Sequence, residues 1–231
     1  MQSAVRRLAE IIPPPAAPEV PTAQTPWDKA PAEAGIGFPE DYRQFIGTFG
    51  GGMISAEIFV YAPSRGRFGP NLPTGFRGFT AFTEQEIPTK LASQGVSRST
   101  LPYPLFPAPG GLLAWGGNFN SDHFFWLTNS VDPDDWPVVW FQNSSRRWHR
   151  YSGRRETESA AALDRRSEQP VRGRGRAAGQ ALRESDERGM AAFLLTAIWD
   201  EAHYSISSPH EEAPYWIRTS DYERGYRGCG V

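Results

Sequence analysis

The 231-residue chain predicts an α+β fold: a single domain with a mainly antiparallel sheet of about five to six strands and packed helices. Three observations carry this. Within residues 104–140, short apolar runs at 112–115, 124–127 and 136–141 alternate with turn residues such as Gly116-Gly117-Asn118 and Asn129-Ser130-Val131-Asp132-Pro133-Asp134. Apolar runs punctuated in this way read as consecutive antiparallel strands. Residues 38–50 have helical periodicity, and residues 190–199 form one compact apolar stretch that reads as a core helix.

The elements follow in order. Residues 5–12 read as a helical turn stopped by Pro13-Pro14-Pro15, because proline lacks an N–H and restricts the residue before it. With Pro18, Pro21 and Pro26 beyond it, the segment 1–26 reads as a Pro-rich, extended lead-in. Residues 27–35 read as a short helix with an early acidic residue, Asp28. The next helix is the clearest in the chain. Pro39 suits the first helical position, Glu40 and Asp41 place negative charge at the positive end of the dipole, and Tyr42, Phe45, Ile46 and Phe49 form one apolar stripe. Gly50-Gly51-Gly52 reads as its cap and turn, not a phosphate cradle, which wants Gly before the helix and a following Lys.

Residues 58–61 predict a strand, and 63–78 a loop carrying Arg65, Arg67 and Arg77. A helix is expected from Phe82 toward Gly95, with Thr83 as its cap. After the sheet segment, Asn143-Ser144-Ser145 signals a turn, and 146–151 a last strand with one charged face. Residues 154–188 change character abruptly: they hold no aromatic residue, many Arg, and nearly as many Asp and Glu. Such a segment buries too little apolar surface to offset its ordering entropy, so it is expected to be largely disordered. Its Arg-Gly alternation at 172–176 would suit a nucleic-acid tail, but the acidic residues dilute that charge. Beyond residue 203 the chain has no clear period; it either docks through Tyr215, Trp216 and Ile217 or hangs loose.

Bulk properties exclude several classes. A net charge of −2 gives no global drive toward nucleic acid or an anionic membrane. No apolar run approaches the ~20 residues that span a bilayer. With one cysteine, Cys229, neither an internal disulfide nor a Cys-rich zinc site can form, which fits a reducing cytoplasm. Apolar content of 39% lies below the usual ~45–50%, in keeping with unpacked segments beside an aromatic-rich core.

Chemical constellations are sparse. His123, His149, His203 and His210 show no metal-ligand spacing; the nearest approach to a set is His203 and His210 with Glu211 and Glu212. Asp132, Asp134 and Asp135 resemble a calcium loop only until Pro133 and Trp136 interrupt it, so Asp-Pro turn initiation and capping by Asp is the expectation. Asp122-His123 lacks a nucleophile elbow, and neighbours on a strand point to opposite faces. Cys229 lies in a Gly-rich terminus without a scaffold to lower its pKa. No catalytic, cofactor or metal residue is assigned.

One resemblance emerges from motifs taken together. These are Trp27 with its short helix, Phe38-Pro39-Glu40-Asp41-Tyr42 with Phe45, and Phe49-Gly50-Gly51-Gly52. They continue as Pro107-Ala108-Pro109-Gly110-Gly111-Leu112-Leu113-Ala114-Trp115-Gly116, Phe125-Trp126-Leu127 and Asp132-Pro133-Asp134-Asp135-Trp136-Pro137-Val138-Val139. In order and spacing the chain resembles the SUKH superfamily, which includes fungal Smi/Knr cell-wall regulators and many bacterial immunity proteins. The resemblance covers about residues 27–152 and resumes at 190–199. It implies a SUKH-like α+β domain over 27–153, interrupted by an insertion at 154–188, completed by a terminal core helix at 189–203 and followed by a C-terminal tail at 204–231. A surface insertion of that length is tolerable because loop-closure cost grows only logarithmically.

The resemblance also implies a non-enzymatic protein-binding function without a cofactor: an immunity protein that binds and neutralises a polymorphic toxin, such as a nuclease, in the bacterial cytoplasm. The alternative is a regulatory scaffold of the Smi/Knr type without a toxin partner. The implied partner is a protein, with no direct contact to nucleic acid or membrane. Asp122, Asp132, Asp134 and Asp135 are the candidate partner-binding residues, since acidic patches complement the basic clefts of nucleases.

Overall fold

Eight strands form one antiparallel sheet in the order β7-β6-β5-β4-β3-β2-β1-β8. The computed structural model describes residues 3–16, 25–63, 71–151, 158–159, 188–199 and 215–218. The strands are β1 (Gly52–Ile54), β2 (Ile58–Val60), β3 (Leu112–Asn118), β4 (His123–Leu127), β5 (Val138–Gln142), β6 (Arg147–Tyr151), β7 (Glu158–Ser159) and β8 (Trp216–Arg218). Strands β1 to β7 make a simple meander, and β8 returns to the free edge of β1. The α+β class and the antiparallel sheet match the sequence expectation, but the strand count exceeds the expected five to six. The added strands β1, β7 and β8 are two or three residues long, too short to show a period.

The helices are α1 (Ala4–Ile11), α2 (Ala30–Ala34), α3 (Glu40–Phe49), α4 (Gly75–Ala81), α5 (Ile87–Ser93) and α6 (Met190–Trp199). Side-chain alternation along β3 to β5 sends Leu113, Trp115, Phe124, Trp126, Val138 and Trp140 into one core layer with α1, α3 and α6. Leu112, Ala114, Phe125, Leu127, Val139 and Phe141 face the other layer, against Phe82, Ile87 and Leu91. The central strands are therefore buried on both faces. This explains why they read as continuous apolar runs and not as an apolar-polar alternation.

Three local expectations change. The lead-in expected over 1–26 begins with a core helix: Val5, Leu8 and Ile12 are buried, and α1 packs on α6 and α3. Ser3 caps it, its Oγ accepting from Arg6 N. The loop expected to 78 ends early, because α4 starts at Gly75 with Phe76 and Phe79 in the core; Arg65 and Arg67 lie outside the described residues. Thr83 is not a cap. It sits in a π-helical segment, Phe82–Glu86, between α4 and α5. There its Oγ1 accepts the buried Ala114 N–H at 3.0 Å, beside the β-bulge where β3 slips register against β4. A bulge leaves a ladder group unpaired, and a buried unpaired N–H is costly, so two irregularities satisfy each other.

The disorder expected over 154–188 falls outside the described residues except at Glu158–Ser159, which pair with β6, and Arg188. Of the alternatives for the tail, docking is what residues 215–218 show. The Trp216 ring lies 5.6 Å from Phe45 and 5.3 Å from Phe49. Gly52 makes room for it, because a Cβ there would overlap the Ile217 carbonyl and the Trp216 ring.

Candidate functional site

The candidate site is built around the turn between β4 and β5. Asp132 adopts an extended backbone and caps a single 3₁₀ turn, Pro133–Asp135, its Oδ1 accepting Asp134 N at 3.0 Å. Pro133 suits this first position because its missing N–H costs nothing there. The Trp136 indole N–H then donates to Ser130 O at 2.8 Å and closes the turn from below.

Asp134 reaches across the fold. Its Oδ1 accepts the N–H of Glu40 at 2.6 Å, capping α3, whose own N-cap is Pro39 and has no side-chain acceptor. At the next residue of α3, Asp41 Oδ2 accepts Ala191 N at 2.9 Å and so caps α6. Gly189, at φ +96°, makes this approach possible, since a Cβ there would overlap the Asp41 carboxylate. The result is a capping relay from Asp132 to the 3₁₀ turn, from Asp134 to α3, and from Asp41 to α6. Carboxylates at helix N-termini satisfy orphan N–H groups and complement the dipole.

Asp41 is half-buried as a residue, but its carboxyl is enclosed. Burial raises it to about 6, against hydrogen bonds from Ala191, Tyr42 and Met190 that lower it; the nearby Asp134 charge adds to the rise. A carboxyl whose folded value lies above its unfolded one favours folding most at low pH. That contribution is full below about 3.8 and is lost as pH rises through about 6. Asp41→Asn keeps an acceptor for Ala191 while removing the charge. The variant is expected to be more stable than the parent at pH 8, by about 1–3 kcal/mol, and no more stable at pH 3.5. Urea melts across that range check this; a variant destabilised equally at both pH values would sink it.

Of the expected partner-binding residues, Asp132, Asp134 and Asp135 are brought together and exposed. None forms an ion pair with a cation among the described residues. Val131 beside them is fully exposed, at 103%. Asp122 is not part of this surface. It is buried at the opposite end of β4, where Oδ2 accepts from Asn118 Nδ2 at 2.9 Å and Oδ1 from Asn143 N at 2.7 Å, tying two turns together. Burial raises its carboxyl despite those bonds. Asp122 is therefore corrected from a partner-binding candidate to a turn brace: its two oxygens are already committed.

Asp122 and His123 do not pair. The buried His123 ring meets Gln94, whose Nε2 lies 3.1 Å from His123 Nε2 and donates to Ser121 O at 3.0 Å. Burial, then the Lys90 charge, lowers His123 to about 4, so the ring is neutral at pH 7. His149 lies flat on Trp140, ring centroids 4.6 Å apart. His203, His210, Glu211, Glu212 and Cys229 fall outside the described residues. Among the described residues no three His, Cys, Asp or Glu converge as a metal site, and no helix is long and apolar enough to cross a membrane.

Among the described residues, grooves open on the surface at two places that bear on the site. One, of about 530 Å³, runs between α1 and α3 over Trp27, with Arg6, Glu40 and Arg43 on its rim; Arg43 and Glu40 form an ion pair. The other, of about 330 Å³, adjoins the acidic turn and is lined by Ile36, Phe106, Pro107, Pro109, Pro133 and Trp136, among others. Its walls come from segments that read in the sequence only as turns and a helix end. Their convergence carried no local signal.

No protein-family model matches the chain, and neither a curated protein nor a solved structure matches it.

Proposed function

We propose that this protein is a non-enzymatic protein-binding domain of the immunity type, which binds a basic toxin in the cytoplasm and neutralises it by covering its working surface. A nuclease suits this best, since its nucleic-acid cleft is basic. The observation that carries the reading is the exposed acidic turn, three carboxylates without a cationic partner among the described residues, held in place by its own caps. A rigid acidic surface supplies complementarity, which mainly governs encounter rate and partner choice. The resemblance to SUKH immunity proteins supports the same reading, and the single cysteine supports the compartment.

The test is binding to the product of a neighbouring toxin-like gene, measured by calorimetry, with growth rescue on co-expression. Asp→Asn changes at Asp132, Asp134 and Asp135 keep the capping acceptors and remove the charge. They are expected to weaken binding about 10–100-fold at low salt, chiefly through the association rate, and to flatten its salt dependence. Absence of saturable binding to any such product would overturn the reading.

A further inference from the structure

We propose that the groove beside the acidic turn is an anchor pocket for one large apolar side chain, carried on a Lys- or Arg-flanked segment of the partner protein. The inference rests on the protein-binding reading and assigns the contact to a specific place.

Three features point to this occupant. The first is size. About 330 Å³ is at the small end of the ~300–1,000 Å³ range of binding pockets, suited to one side chain and not to a helix face. The second is chemistry. Pro107, Pro109 and Pro133 contribute no N–H to the walls. Several polar groups nearby are already committed: Ala108 N to Leu105 O, Trp136 N to Pro133 O, the Trp136 indole to Ser130 O, and Thr128 Oγ1 to Gly111 O. Ile36, Phe106 and Trp136 add apolar surface beside these prolines. The third is the rim. The turn that supplies Val131, Pro133 and Trp136 to the wall also carries Asp132, Asp134 and Asp135, exposed and without cationic partners among the described residues. Complementarity at this rim selects positive charge flanking the apolar anchor. Buried anchors surrounded by a polar, solvent-accessible rim are the usual organisation of interface hot spots.

The test pans a phage-displayed library of random linear 12-residue peptides against the full chain, then measures synthetic copies of the enriched peptides by fluorescence polarisation. Enrichment of Leu, Phe or Trp flanked by Lys or Arg is expected. The side chains of Val131 and Asp135 make no hydrogen bond or ion pair among the described residues, so the double variant Val131→Arg with Asp135→Arg should melt like the parent. It should bind the selected peptides at least about tenfold more weakly. Enriched peptides without basic residues, no enriched peptide at all, or binding unchanged by the double variant would each overturn the proposal. If the toxin-like neighbour binds parent and double variant equally, the groove assignment fails while the protein-binding reading stands. If selected peptides bind as described but no neighbouring product does, the groove assignment stands and the immunity reading fails.

Discussion

Removing residues 1–16 is expected to unfold the protein, not to trim a linker. Helix α1 and its C-cap residue Ile12 pack against α6 and α3, with Val5 buried and Leu8 and Ile12 wholly excluded from solvent. Each fully buried aliphatic side chain is worth about 1.5–3 kcal/mol, so the three together approach the ~5–15 kcal/mol that holds a domain folded. The loss is compounded on the other side. Helix α6 buries Met190, Ala191, Phe193, Leu194 and Leu195, apolar nearly all round, and without α1 part of that surface faces water. Circular dichroism during thermal melting is the measurement. A truncated chain that still melts cooperatively within a few degrees of the parent would show α1 to be dispensable and restore the lead-in reading of this segment.

Trp126→Ala is expected to cost about 3–5 kcal/mol. Trp126 is fully buried at the centre of the larger core layer, with ring centroids 4.8 Å from Tyr42, 6.0 Å from Trp115, 6.3 Å from Phe38 and Phe79, and 6.4 Å from Trp136. Truncation to Ala leaves a cavity that five large rings cannot collapse into without moving both α3 and the sheet. Trp126→Phe should cost less than half as much. It keeps most of the ring contacts and removes an indole N–H that is buried without a hydrogen-bond partner, so it deletes a desolvation penalty along with the lost volume. Guanidinium unfolding of both variants separates the two effects. Equal losses would mean that the N–H is satisfied and that the aromatic contacts are not what stabilises the layer.

The same physics explains which elements were legible. In α3, the expected positions Tyr42, Phe45, Ile46 and Phe49 are all buried, because an amphipathic stripe records which face of a helix meets the core. Strands β3, β4 and β5 announced themselves through apolar runs between turn residues. Strand β1 and its hairpin with β2 did not. Its turn uses Ser55 and Ala56 at φ 51° and 56°, where Gly or Asn is the usual signal. Helix α4 was hidden by its own composition, Gly75-Phe76-Arg77-Gly78, which reads as loop. There Phe76 and Phe79 find core partners, and burial overrides weak propensity.

Local chemistry in the chain was sufficient for the α+β class, the central strands, helix α3 and the Asp-Pro turn, because each depends on neighbours within a few residues. It also marked Asp132, Asp134 and Asp135 as a surface turn. The roles of those carboxylates were beyond its reach. Asp134 caps a helix 94 residues away, and Asp41 caps one 150 residues away. Asp122 turned inward to brace two turns instead of facing a partner. The pocket beside the acidic turn joins residues near 36, 107 and 133. Such contacts form only when the sheet brings distant segments together, since a hydrogen bond or an apolar contact depends on distance in space and leaves no period along the chain.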